Sequence, residues 1–142
     1  MEIRLYHESD ESAVVALWKD VFAYREPRND PATVIRQKLA CQRELFFVAV
    51  LNGAVVGTVM GGYDGHRGWV YSLAVRPEVR RRGIGAALMC HVERELAQRG
   101  CLKVNLQVLA SNAATVAFYQ KVGYAVEERI SMGKLLESAA GA

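Results

Sequence analysis

"RPEVRRRGIG", residues 76–85, places four arginines within seven positions and then runs into two glycines. Upstream, "WVYSLAV" (69–75) is dense in β-forming residues and reads as a strand. Downstream, Ile84, Leu88, Val92 and Leu96 recur at i+4 steps, and Gly100 closes the pattern as a helix C-cap signal. The order is therefore strand, arginine-rich turn, helix starting near Gly83. The first four amides of a helix have no intrahelical partner and carry the positive end of its dipole. Glycines let the backbone approach an anion, and Arg80, Arg81 and Arg82 add charge at the rim. This arrangement predicts a seat for a compact anion.

The charge distribution agrees. The 142-residue chain carries 18 Lys and Arg against 15 Asp and Glu, a net +3. Between Arg76 and Arg82 lie four basic residues and one acidic residue, Glu78, so outside this loop 14 of each sign remain. A nucleic-acid surface spreads its cations along a face or helix, because affinity grows with the phosphates neutralised. No aromatic residue interleaves this run as a stacking platform would require. Nucleic acid is not the expected partner. A P-loop is excluded because Ala86 and Ala87 follow Gly85 where Lys and Ser or Thr are needed. A dinucleotide fingerprint fails too. Leu88 stands where its third glycine belongs, and Lys103, Asn105 and Gln107 occupy the region of its acidic residue.

Half of the residues are apolar, which suits one globular domain over 1–142 with a frayed tail at 137–142. Cys41, Cys90 and Cys101 are odd in number and far apart, which argues against disulfides and against a zinc knuckle. No metal is expected. With no membrane-spanning apolar run and no signal-peptide core, a soluble cytoplasmic protein is expected.

The remaining elements mix strands and helices. "IRLY" (3–6) reads as a strand, and "SDESAVVALWKDVF" as a helix capped by Ser9 or Asp10. A second helix runs from Pro31 through Leu39. Two β-rich runs flank Asn52-Gly53, a type I′ hairpin signal. After the long helix, "LKVNLQVL" reads as a strand, "SNAATVAFYQKVGY" as a helix capped by Ser111, and the stretch to Leu136 as a last strand. The fold class is α/β: one central, mostly antiparallel mixed sheet with helices on both faces.

Arg80, Gly83 and Gly85 match the pattern Arg/Gln-x-x-Gly-x-Gly/Ala, and Asn112, Tyr119, Gly123 and Tyr124 match a second signature. Together they resemble the GNAT superfamily of acetyl-CoA-dependent N-acetyltransferases, and "GTVMGGYDGHRG" is most similar to its bacterial YpeA-type members. Thr115 departs mildly from the second signature, where Ala is usual.

The resemblance implies a GNAT fold, acetyl-CoA as cosubstrate and direct transfer to a primary amine, with a small molecule or peptide as acceptor. By the same resemblance Leu73, Ala74 and Val75 pair with the pantetheine arm. Amides from Arg81 through Ala86, which include Arg82, Gly83, Ile84 and Gly85, hold the pyrophosphate beside Arg80. Asn112 binds the arm, and Tyr119 gives a proton to the departing thiolate. Asn112 and Tyr119 are seven residues apart on one helix, about 10 Å along its axis, so one extended ligand can touch both. A rival reading is a module that holds acetyl-CoA as a regulatory ligand without turnover. The resemblance also leaves room for a homodimer.

The acceptor amine must be neutral to attack. An ordinary lysine is neutral in only about one molecule in 2,500 at pH 7, and an α-amine in roughly one in seven. The candidate bases are Tyr71, Asp64 and His66. Each also has a structural reading: a core tyrosine, a turn aspartate beside Gly65 and a surface histidine. The resemblance implies that the first two helices and "YREPRND" (24–30) frame the acceptor, but Arg25, Glu26, Arg28, Asn29 and Asp30 name no substrate. "VLASN" (108–112) is similar to the ribosomal-protein N-terminal-alanine acetyltransferases, whose base is a glutamate just before that valine; here Gln107 stands there.

Overall fold

A computed structural model describes residues 1–23 and 26–137. The chain divides into two compact units, Met1–Gln107 and Val108–Ala142. Of the expected frayed tail only Glu137 falls within the described residues.

In the first unit, β1 (Glu2–Leu5), α1 (Glu11–Val21), α2 (Pro31–Leu39), β2 (Phe46–Leu51), β3 (Ala54–Tyr63), β4 (Gly68–Val75), α3 (Ile84–Gln98) and β5 (Val104–Asn105) follow in sequence. The sheet order is β1-β2-β3-β4-β5. The first four strands are antiparallel, and β5 runs parallel to β4. Asn52 (φ 52°) and Gly53 (φ 80°) make the left-handed turn expected between β2 and β3. Pro31 opens α2 behind Asp30, whose carboxylate accepts the Thr33 amide at 3.2 Å. Asp10 precedes α1 but does not cap it. Its carboxylate takes two bonds from the Arg4 guanidinium, at 2.8 and 3.0 Å, and one from the His7 amide at 2.8 Å.

Strand alternation sends side chains to two cores. Phe46, Val48 and Met60 pack with Val14, Leu17 and Trp18 of α1 and Ile35 of α2, and Tyr6 stacks on Phe46 at 4.3 Å. The other face meets α3 across glycines. A β-carbon at Gly57 would lie 3.0 Å from Leu88 Cδ1 and 3.1 Å from the Ala74 carbonyl, and one at Gly61 would lie 2.7 Å from Val92 Cγ2. Leu88 and Val92 of α3 thus pack directly against the β3 backbone at these two glycines, which fixes α3 lengthwise on β3. Gly100 (φ 91°) then ends α3 with two bonds, Gly100 N–H to Ala97 O and Cys101 N–H to Leu96 O.

The second unit contains α4 (Ala113–Lys121). Its cap is Asn112, not Ser111: the Asn112 side chain accepts the Thr115 amide at 3.2 Å. Gly123 (φ 104°) closes it, with the Tyr124 amide bonding Tyr119 O at 2.9 Å. The expected last strand is absent, since 125–137 forms no ladder among the described residues. Charges at Glu127, Glu128 and Arg129 interrupt the alternation, and a bond from the Arg129 amide to Glu127 O bends the chain there. β-propensity without a partner edge does not make a strand. For the same reason "LKVNLQVL" pairs only at Val104 and Asn105.

Candidate functional site

The site begins with an irregularity in β4. Thr58 faces Ala74 and Met60 faces Tyr71, so two residues, Ser72 and Leu73, oppose Val59 alone. This is a β-bulge, with Ser72 left-handed at φ 55°. Buried Thr58 holds it: its hydroxyl donates to Ser72 O at 2.8 Å and accepts the Trp18 indole N–H at 2.9 Å. Beyond Trp69, β5 offers β4 no ladder partner. Leu73, Ala74 and Val75 therefore lie on a stretch of strand whose β5-side edge an extended amide chain can pair with.

The arginine loop continues directly from this strand. Arg76 anchors its start, with its amide on Val56 O at 2.8 Å and its Nε on Val55 O at 3.3 Å. Arg80 Nε returns to Val75 O at 3.2 Å. Arg81 (φ 65°) and Gly83 (φ 79°) are left-handed, and Gly83 is the N-cap of α3. A β-carbon at Gly83 would meet nothing within 4 Å, so the glycine is required by its backbone angle and not by space. The first α3 amide bonded inside the helix is that of Ala87, to Gly83 O at 3.0 Å. The amides of Ile84, Gly85 and Ala86 therefore have no intrahelical partner, and they carry the dipole's positive end beside exposed Arg81 and Arg82. Such a turn binds a phosphate-like anion.

On the α1 and α2 side of β4 lies a cavity of about 690 Å³ lined by Trp18, Phe22, Pro31, Tyr71 and Ser72, with Glu26 and Asp30 as its acids. This is the region expected to take the acceptor; Tyr24 and Arg25 of its predicted loop lie outside the described residues. The Tyr71 hydroxyl accepts a bond from Lys38 Nζ at 3.0 Å, and the same Nζ donates to the Gly61 carbonyl. Burial pushes the Tyr71 phenol above its ordinary pKa and the Lys38 ammonium below its own. Asp64 forms the turn beside Gly65. Its carboxylate accepts the His66 and Arg67 amides at 2.8 and 2.7 Å, and these bonds hold its pKa low.

In the second unit Asn112 and Tyr119 share α4 as expected. Half-buried Tyr119 packs edge-on against Phe118 and Tyr124, and burial pushes its phenol up to about 12. It keeps its proton at any ordinary pH.

Sequence reading missed Lys38, Thr58 and Ser72. Lys38 had a signal: it sits four residues after Val34 and three after Ile35, inside the apolar stripe of α2. Thr58 and Ser72 had none, because the bulge is set by strand register.

The acetyltransferase (GNAT) family model matches residues 11–124. The chain belongs to this family. An acetyltransferase of Yersinia enterocolitica is 46% identical to it over 136 residues, 96% of each chain. Among solved structures, the PaiA N-acetyltransferase of Thermoplasma acidophilum in complex with coenzyme A superposes with a TM-score of 0.79 at 21% identity, over 91% of this chain and 92% of that one. The ribosomal-protein-S18-alanine N-acetyltransferase of Escherichia coli gives a TM-score of 0.71 at 27% identity, over 86% and 76%. This GNAT protein is thus an acyltransferase, and the mixed sheet flanked by helices is the family's fold. Among the described residues no cluster of side chains could hold a metal ion, and no helix is long and apolar enough to cross a membrane.

Proposed function

We propose that this acetyltransferase moves an acetyl group from acetyl-CoA directly to a primary amine, and that residues 1–142 work as one GNAT domain. The observation that carries the reading is the row of partnerless amides at Ile84, Gly85 and Ala86, reached straight from the bulged strand β4. Acetyl-CoA supplies an activated acyl carbon and a thiolate leaving group. The amides of 81–86 with Arg80 take its pyrophosphate, Leu73–Val75 and Asn112 take its amide-bearing arm, and the Tyr119 hydroxyl protonates the thiolate. The acceptor enters the cavity beside Tyr71, where Trp18 and Phe22 offer apolar surface and two acids, Glu26 and Asp30, face one base, Lys19. An acceptor that presents an ammonium next to apolar groups suits this lining. Thermal melts with acetyl-CoA test the first half of the reading. A screen of free amino acids, polyamines, aminoglycosides and peptides, read by thiol release, tests the second.

A further inference from the structure

Lys38 is only 5% exposed, and among the described residues no carboxylate pairs with it. Its contacts are the Gly61 carbonyl and the Tyr71 hydroxyl, and its nitrogen also lies 5.4 Å from the centre of the Tyr71 ring. Tyr71 has the opposite character: 42% exposed, it lines the acceptor cavity. Tyr71 thus lines the cavity and also bonds a buried amine through its hydroxyl.

We propose that Lys38, acting through the Tyr71 hydroxyl, takes up the proton that the acceptor ammonium must lose before it can attack. The inference rests on the acetyl-transfer reading above and names a positioning residue for it. In the receiving state Lys38 is a neutral amine that donates to Gly61 O and accepts the Tyr71 O–H. The acceptor's N–H bonds to Tyr71 Oη. One proton passes from the acceptor nitrogen to Oη as the phenol's own proton passes to Nζ. The products are a neutral acceptor amine, an intact phenol and a lysine ammonium, which later returns its proton to water.

Two physical facts favour this relay over Tyr71 alone. A phenol whose pKa is raised by burial is a poor stand-alone base, and the relay needs no phenolate. An ammonium buried without a counter-charge is costly, so Lys38 gives up its proton more readily than a free lysine. Cys41 and Glu44 are the other titratable groups acting on Lys38, and each opposes the shift that burial causes. β3 contributes only a backbone carbonyl.

The test uses the full chain with Lys38→Met, Lys38→Arg and Tyr71→Phe. Arginine keeps a donor for Tyr71 but cannot lose its proton. Each variant should keep its acetyl-CoA melt shift; a parent chain without that shift fails the acetyl-transfer reading itself, a distinct result. With the fastest acceptor from the amine screen, both Lys38 variants should lower kcat/KM about 10²-fold at pH 7. The deficit should shrink as pH nears the acceptor's own pKa, where solution supplies the neutral amine. Rescue by arginine, or a deficit equal at every pH, overturns the relay. If the Lys38 variants do not fold, Tyr71→Phe must show the same pH-dependent deficit. ¹³Cε NMR of the five lysines gives a readout free of turnover. Lys38 should titrate below the other four, and titration together with them overturns the proposal.

Discussion

Trp18 on α1 and Thr58 on β3 stand 40 residues apart in sequence and share a buried 2.9 Å hydrogen bond, and Thr58 passes it on to the Ser72 carbonyl at 2.8 Å. A helix that borders the cavity beside Tyr71 is thereby tied to the bulge in β4. Thr58→Val keeps the volume but leaves the indole N–H and the Ser72 carbonyl without their partner. The expected cost is about 1–3 kcal/mol. It should appear as a lower urea midpoint at unchanged slope, together with a higher KM for acetyl-CoA. A midpoint equal to the parent's would show that the bulge stands without this chain of bonds.

Gly83 is left-handed at the head of α3. Gly83→Glu strains that angle and adds negative charge beside the partnerless amides. Acetyl-CoA at a hundred times its Kd should stabilise the parent by about 2.7 kcal/mol, and the variant should lose this gain. A parent melt unmoved by saturating acetyl-CoA refutes the anion seat.

Tyr119→Phe should leave acetyl-CoA binding intact and lower kcat about 10²-fold. Burial holds the Tyr119 phenol up to about 12, so this group should cause no alkaline loss of activity in the usual assay range. Undiminished turnover in the variant would reduce Tyr119 to packing between Phe118 and Tyr124.

Asp10 has an acid-side signature. The Arg4 hydrogen bonds hold its carboxyl below the usual 3.8, with the His7 amide adding to them. A depressed carboxyl pKa stabilises the fold at pH values above the ordinary one, and that contribution disappears as pH falls through the folded value. Asp10→Asn should therefore cost about 1–3 kcal/mol at pH 7. The gap between variant and parent should close below about pH 4, where the unfolded carboxyl protonates. Urea titrations at several pH values measure this, and a gap independent of pH would assign Asp10 a purely steric role.

Much of this was legible in the chain itself. The arginine loop, the Asn52-Gly53 turn, the Pro31 start of α2 and the glycine stops at Gly100 and Gly123 each rest on local backbone chemistry, so each could be read from a few neighbouring residues. Asp10 and Ser111 were misread as caps because a side chain's partner is chosen in space: Arg4 claimed the first, and Asn112 displaced the second. The strand expected near Ile130 failed for a similar reason, because a strand exists only with its neighbour. The Thr58–Ser72 bond could not be read, since no local pattern announces which strand will carry one residue too many.

Gln107 bears on specificity. The resemblance in "VLASN" implies a glutamate base at this position in the ribosomal-protein N-terminal-alanine enzymes, and an amide, which takes up no proton at neutral pH, does not replace it. A ribosomal-protein N-terminal peptide should be a poor substrate, with kcat/KM below about 10⁴ M⁻¹s⁻¹. Efficient acetylation of that peptide in steady-state assays would show that a base elsewhere suffices.

The close packing of α3 side chains on the glycines of β3 limits which substitutions this sequence can take. At Gly57 even one added methyl group would press on the Ala74 carbonyl, a backbone atom that moves only with β4, and on Leu88 of the helix. An alanine at that position would be felt where Ile84 begins α3, although it touches no ligand. A position remote from the arginine loop thereby bears on the start of α3.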